Sequence, residues 1–218
     1  MSDFFMMRQN MVKGQILPEN LTHPLLIDAF FTIPREKFVP CQLARIAYMD
    51  TNFSINKGRC LLRPATLARL LEALNPKPSD KVLYIGGGTG YGPALLNQIV
   101  SHIIALDCEE TLTQEAERLV NELKLSSIEV VLGPLIEGWE NGAPYDKILI
   151  EGCIDFIPRK LASQLTEGGQ LTTIKYHKEK ERIAVKLDKK QGVFTERFLF
   201  DAFAPRLKPF REQKTFVF

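Results

Sequence analysis

The chain has 218 residues, with 28 lysines and arginines against 26 aspartates and glutamates, so its near-balanced charge gives no reason to expect a nucleic-acid partner. That length suits one domain with a full central sheet, and no apolar run approaches the roughly 18–20 residues that span a membrane. Cys41, Cys60, Cys108 and Cys153 stand far apart with no Cys-x-x-Cys pair, and Phe4-Phe5-Met6-Met7 runs straight into Arg8; the pattern is that of reduced thiols in a cytoplasmic protein without a signal peptide or metal framework.

Residues 1–14 are expected to form a helix with Met6, Met7 and Met11 on one face. Thr22 suits the N-cap of a second helix over 23–31, with Pro24 in its first turn and Pro34 ending it. Residues 44–64, which contain Asn52, Asn56, Gly58 and Pro64, lack periodicity and suggest an irregular segment crossing a surface. A helix over 65–75 gathers Leu67, Leu70, Leu71 and Leu74 on one side. Then come an apolar run at 82–85, the cluster Gly86-Gly87-Gly88-Thr89-Gly90, and a helix over 91–99. A second strand over 102–106 ends at Asp107, and a helix over 111–124 buries Leu112, Ala116, Leu119, Val120 and Leu123. Strands follow at 128–132 and 147–150, the latter delivering Glu151-Gly152-Cys153. A helix over 158–165, a Gly168-Gly169 turn, a strand at 171–174 and a final pair at 183–188 and 193–200 complete the chain. Strands alternating with helices, then a strand pair, predict an α/β fold: a doubly wound, Rossmann-like, mostly parallel sheet with an antiparallel edge. Residues 1–64 are expected to be a helical extension capping a core of 65–218.

A strand, a glycine turn and a helix bring backbone N–H groups and a helix start close to a ligand. Asp107, 21 residues after Gly86, lies where the next strand would present an acid to a pair of ribose hydroxyls. The dinucleotide fingerprint needs a further glycine that is Tyr91 when counted from Gly86 and Pro93 when counted from Gly88. No Gly-Lys-Ser/Thr follows, which removes the phosphate-loop enzymes. The remaining spacing, Gly86-x-Gly88-x-Gly90, is that of class I methyltransferases using S-adenosylmethionine; a turn made only for packing is the plainer alternative. Gly86, Gly87, Gly88, Gly90 and Asp107 are the expected cofactor contacts, with Leu135 as a neighbour of the adenine and Gly87 alternatively serving the turn alone.

Met11-Val12-x-x-Gln15-Ile16-x-Pro18, Ile33-Pro34-Arg35-Glu36-Lys37-Phe38-Val39-Pro40 and Ala47-Tyr48-x-Asp50 together resemble the N-terminal signature of the protein-L-isoaspartate (D-aspartate) O-methyltransferases. Gly133 with Glu137-Gly138-Trp139, Ala143-Pro144-Tyr145-Asp146-Lys147-Ile148 and Leu165-Thr166-Glu167-Gly168-Gly169-Gln170-Leu171 are similar to later stretches of that family. The resemblance implies methyl transfer from S-adenosylmethionine to the free carboxylate of an isoaspartyl residue in a damaged protein, a nucleophile already ionised at neutral pH. Several family positions are altered. Where the family usually has Gly-Gln-Thr-Ile-Ser-x-Pro, this chain has Gly58-Arg59-Cys60-Leu61-Leu62-Arg63-Pro64, and the acids expected after the third strand and at the end of the motif strand are Pro134 and Tyr84. These changes, with Phe200-Asp201-Ala202 and the Phe216-Val217-Phe218 ending, resemble a divergent branch among alphaproteobacterial members.

Arg59 and Arg63 have the chemistry to clamp a carboxylate at two points, and Glu151 falls where doubly wound folds place catalytic groups. Those three are the catalytic candidates, with a salt bridge between Glu151 and one arginine as the structural alternative. Two other functions stay open: methylation of a different acceptor, including a small molecule, and a non-catalytic relative that kept the fold. The expected partners are the acceptor alone, with no nucleic acid or membrane, and the chain is expected to be a monomer or weak homodimer.

Overall fold

The computed structural model describes residues 3–56, 58–177 and 181–211. The Phe216-Val217-Phe218 ending lies outside them. The chain runs α1 (Phe4–Met11), α2 (Pro24–Thr32), β1 (Phe53–Asn56), β2 (Arg59–Leu61), α3 (Pro64–Leu74), β3 (Lys81–Ile85), α4 (Tyr91–Leu96) and β4 (His102–Asp107). It continues through α5 (Glu110–Glu122), β5 (Ile128–Leu132), β6 (Tyr145–Ile154), α6 (Arg159–Ser163), β7 (Leu165–His177), β8 (Glu181–Lys190) and β9 (Val193–Asp201). Seven strands form one sheet in the order β5-β4-β3-β6-β7-β8-β9, parallel from β5 to β7 and antiparallel from β7 to β9. Among the described residues no helix is long and apolar enough to cross a membrane.

The alternation of β3 divides the core between the two faces of the sheet. Val82 and Tyr84 face the N-terminal helices, among Met11, Phe30, Leu70 and Leu149. Leu83 and Ile85 face the other side, among Ile104, Ile148, Leu171 and Leu207. Burial on both faces is why the central strands β3, β4 and β6 carry unbroken apolar runs, whereas the edge strand β5 exposes Glu129 and Leu132.

Four features differ from the expectations. His23, not Thr22, caps α2: its Nδ1 accepts from the Leu26 N–H at 3.3 Å, while Thr22 turns to Glu72. The first helix gives way after Met11 to a wider turn over Val12–Ile16. Phe53–Asn56 and Arg59–Leu61, in a segment expected to be irregular, form the antiparallel β1–β2 pair, which lies over the glycine turn. β6 and β7 are longer than their apolar cores, and Gly168-Gly169 is absorbed into β7 beside a break in register.

The C-terminal segment seals one end of the sheet. The Cys153 N–H donates to the Pro205 carbonyl at 3.0 Å and the Leu207 N–H returns to the Cys153 carbonyl at 2.8 Å. Leu207 lies so close over Gly152 that a Cβ there would stand 2.5 Å from its Cγ.

Candidate active site

Gly86, Gly88 and Gly90 all take left-handed φ values, of 75°, 57° and 93°, which glycine adopts without strain. The resulting turn joins β3 to α4 and abuts the end of β4. The Gly86 N–H donates to the Leu106 carbonyl at 2.9 Å, and the Gly88 N–H reaches Asp107 Oδ2 at 3.3 Å. Asp107 also accepts from the N–H groups of Cys108 at 2.7 Å and Glu109 at 3.1 Å. Gly87 has a separate reason to be glycine, because the Tyr84 ring lies beneath it. A Cβ on Gly87 would stand 2.9 Å from Tyr84 Cε1, and one on Gly92 only 1.8 Å from the Tyr84 oxygen.

Arg59, on β2, grips the Asp107 carboxylate at two points. Its Nε donates to Oδ2 and its Nη2 to Oδ1, both at 3.0 Å, and Nη2 also lies 3.1 Å from Cys108 Sγ. Both side chains are nearly fully buried, at 3% and 4% exposure. Burial opposes the Arg59 charge, but Asp107 outweighs it and holds the guanidinium above its ordinary pKa. Ile55, on β1, presses on the turn: a Cβ on Gly88 would stand 2.3 Å from its Cδ1. Between the turn, Asp107 and Thr113 a cavity of about 10 Å³ remains, room for a single water. A groove of about 530 Å³ opens nearby, lined by Ile55 itself with Phe38, Val39, Thr89, Leu112 and Arg118 among others. Its wall is tied to the turn by Thr89, whose hydroxyl donates to the Phe38 carbonyl at 2.6 Å. The turn and the carboxylate at the strand end therefore fit a nucleoside cofactor in chemistry; in the structure Arg59 lies on that carboxylate and Ile55 on Gly88. Leu135 is fully buried against Gly86, beside Leu207.

Glu151 sits on the other side of Gly86, one residue past Ile150, the partner of Ile85. The β6–β7 register breaks between Ile150 and Cys153, so Glu151 and Gly152 fall in a bulge that re-aims the carboxyl. Tyr84 donates to Glu151 Oε2 at 2.6 Å and the Leu62 N–H approaches Oε1 at 3.5 Å. Burial pushes the Glu151 carboxyl up to about 7, with the Tyr84 and Leu62 hydrogen bonds and the Arg35 charge pulling the other way. Burial and Glu151 together drive the Tyr84 hydroxyl well above its ordinary value. Arg35 is itself fully buried, donating to the carbonyls of Ala47 and Leu62, each at 2.7 Å, and thereby fixing the segment that carries Arg59 and Arg63.

Of the sequence candidates, the glycines, Asp107 and Arg59 come together in one buried cluster. Glu151 pairs with Tyr84 and not with an arginine. Arg63 stands apart at the surface, 41% exposed and bound to Asp50 at 2.9 Å. Sequence reasoning missed Tyr84 as the partner of Glu151, Ile55 as the cover of Gly88, and Leu207. The one signal for Tyr84 was a second pair of glycines, Gly87 and Gly92, flanking its ring.

A mostly parallel sheet, with a left-handed glycine turn after β3 and an acid at the end of β4, defines a Rossmann-like methyltransferase. The family model of protein-L-isoaspartate(D-aspartate) O-methyltransferase matches residues 6–202. The protein-L-isoaspartate O-methyltransferase of Pelotomaculum thermopropionicum is 35% identical over 164 residues, 75% of this chain and 72% of the relative. That of Picosynechococcus is 35% identical over 165 residues, 76% and 74% of the two chains. A Plasmodium falciparum structure bearing the same family name, solved with S-adenosyl-L-homocysteine, superposes with a TM-score of 0.79 at 18% identity over 93% of this chain and 98% of that one, a likeness of fold. The chain belongs to the protein-L-isoaspartate(D-aspartate) O-methyltransferase family.

Proposed function

We infer that this chain transfers a methyl group from S-adenosylmethionine to the free carboxylate of L-isoaspartyl residues in damaged proteins. The carrying observation is the left-handed turn of Gly86, Gly88 and Gly90 closing on Asp107, in a chain that matches the family over nearly its whole length. The bound cofactor supplies an activated methyl group. The turn's backbone and Asp107 hold it, and Leu135 with Leu207 forms an apolar wall beside Gly86. An ionised acceptor needs no base, so the protein's task is alignment and charge placement. The described part of the N-terminal extension, residues 3–56 and 58–64, is the cap over this turn, and Arg63, half exposed at its edge, is the cation that meets the acceptor carboxylate. Radiolabelled methyl transfer to an isoaspartyl peptide, with the normal aspartyl peptide as control, tests this: label on the first alone is expected, and label on neither rejects it.

One observation favours a second acceptor. A buried carboxyl with a pKa near 7 has the right acidity to exchange a proton with an N–H or O–H acceptor at neutral pH. On that reading isoaspartyl peptides are inert, and Glu151→Gln abolishes methylation of the true substrate.

A further inference from the structure

We propose that Arg59 is an internal competitor for the cofactor: its guanidinium occupies the seat on Asp107 that the ribose hydroxyl pair takes, so cofactor affinity is set by the displacement of Arg59. This rests on the reading of Asp107 as the ribose ligand. A vicinal diol and a guanidinium make the same demand on a carboxylate, two parallel donors to two oxygens, and Arg59 already satisfies it at 3.0 Å on both sides. The oxygens of Asp107 also serve the N–H groups of Gly88, Cys108 and Glu109. Little acceptor capacity remains for a ligand while Arg59 stays.

The competition is steric as well as electrostatic. Arg59 and Ile55 lie on the paired strands β1 and β2, with Ser54 opposite Cys60, so the two side chains are carried by one unit. Ile55 lines the groove of about 530 Å³ and presses on Gly88, which itself lines the small cavity at Asp107. Withdrawal of the pair frees the carboxylate and uncovers Gly88 in one motion. The form with Arg59 withdrawn is then the only one that binds, and the apparent dissociation constant exceeds the intrinsic one by the inverse of that form's population.

The test is titration calorimetry with S-adenosylhomocysteine on wild type, Arg59→Met and Ile55→Ala. Arg59→Met keeps the length of the side chain and removes the competing donors, and is expected to bind at least tenfold more tightly than wild type. Ile55→Ala leaves the ion pair in place and loosens the cover, and is expected to bind severalfold more tightly. Equal or weaker binding by Arg59→Met overturns the proposal while wild-type binding leaves the cofactor reading standing. Binding by none of the three overturns both. Should Arg59→Met fail to fold, Ile55→Ala decides: an affinity no better than wild type overturns the proposal.

Discussion

Asp107 and Glu151 lie on β4 and β6, the strands on either side of β3, at similar burial, yet they are chemically unlike. Asp107 accepts two hydrogen bonds from a guanidinium and three from backbone N–H groups. Glu151 accepts one from a tyrosine and one long one from a backbone N–H, and burial dominates its acidity. At similar burial, the two carboxyls differ in the number and charge of their donors. That difference divides the labour of the site. The β4 end holds a carboxyl committed to five donors, and the β6 end holds a carboxyl able to change protonation near neutral pH.

The largest effect should come from breaking the Asp107 side. Asp107→Ala leaves Arg59 buried without its counter-charge, which typically costs about 3–5 kcal/mol. Urea unfolding should show that loss. Where the variant still folds, its affinity for S-adenosylhomocysteine should fall at least tenfold, since roughly 1.5–3 kcal/mol is at stake per hydrogen bond to a charged group. Retained affinity would mean that the carboxylate does not hold the ribose.

Glu151 should behave in the opposite sense with pH. Its folded pKa of about 7 lies above the ordinary 4.5, so the stability it contributes is full below about pH 4.5 and is lost as pH rises through 7. Glu151→Gln abolishes that loss. Relative to wild type, the variant should gain on the order of 2–3 kcal/mol between pH 5 and pH 8. Unfolding curves at the two pH values measure the gain. A pH-independent difference would show that Glu151 has the same pKa folded and unfolded.

The same contrast explains what the sequence disclosed. The glycine spacing and the acid at the end of the next strand are local patterns, and β3, β4 and β5 lie within a residue of where their apolar runs put them. The partners of the two carboxyls are not local. Arg59 meets Asp107 across 48 positions and Tyr84 meets Glu151 across 67, with no periodicity connecting them. The β1–β2 pair escaped because its strands are of four and three residues, with Asn56 ending the first and Gly58 preceding the second, too short to show alternation. The bulge that aims Glu151 depends on the register of β7, which the residues of β6 do not reveal.

Arg63 gives the smallest effect on stability and the sharpest contrast with Arg59, which lies four residues earlier. Arg59 is buried and committed to Asp107; Arg63 is 41% exposed, and its pair with Asp50 faces water. Exposed pairs contribute about 0–1 kcal/mol, so Arg63→Ala should barely move the unfolding midpoint. Its affinity for S-adenosylhomocysteine should match wild type, because Arg63 makes none of the contacts at Asp107. An acceptor carboxylate, in contrast, would lose a charge-assisted partner. On the isoaspartyl reading the KM for the peptide should rise about tenfold with kcat little changed, as expected when an interaction common to ground and transition states is removed. Steady-state kinetics on wild type, Arg63→Ala and Arg63→Lys separate the possibilities. Partial recovery of KM by lysine would identify the positive charge as what the acceptor needs. An unchanged KM in Arg63→Ala would remove Arg63 from the acceptor site and leave Arg59, once displaced from Asp107, as the remaining candidate cation on that segment.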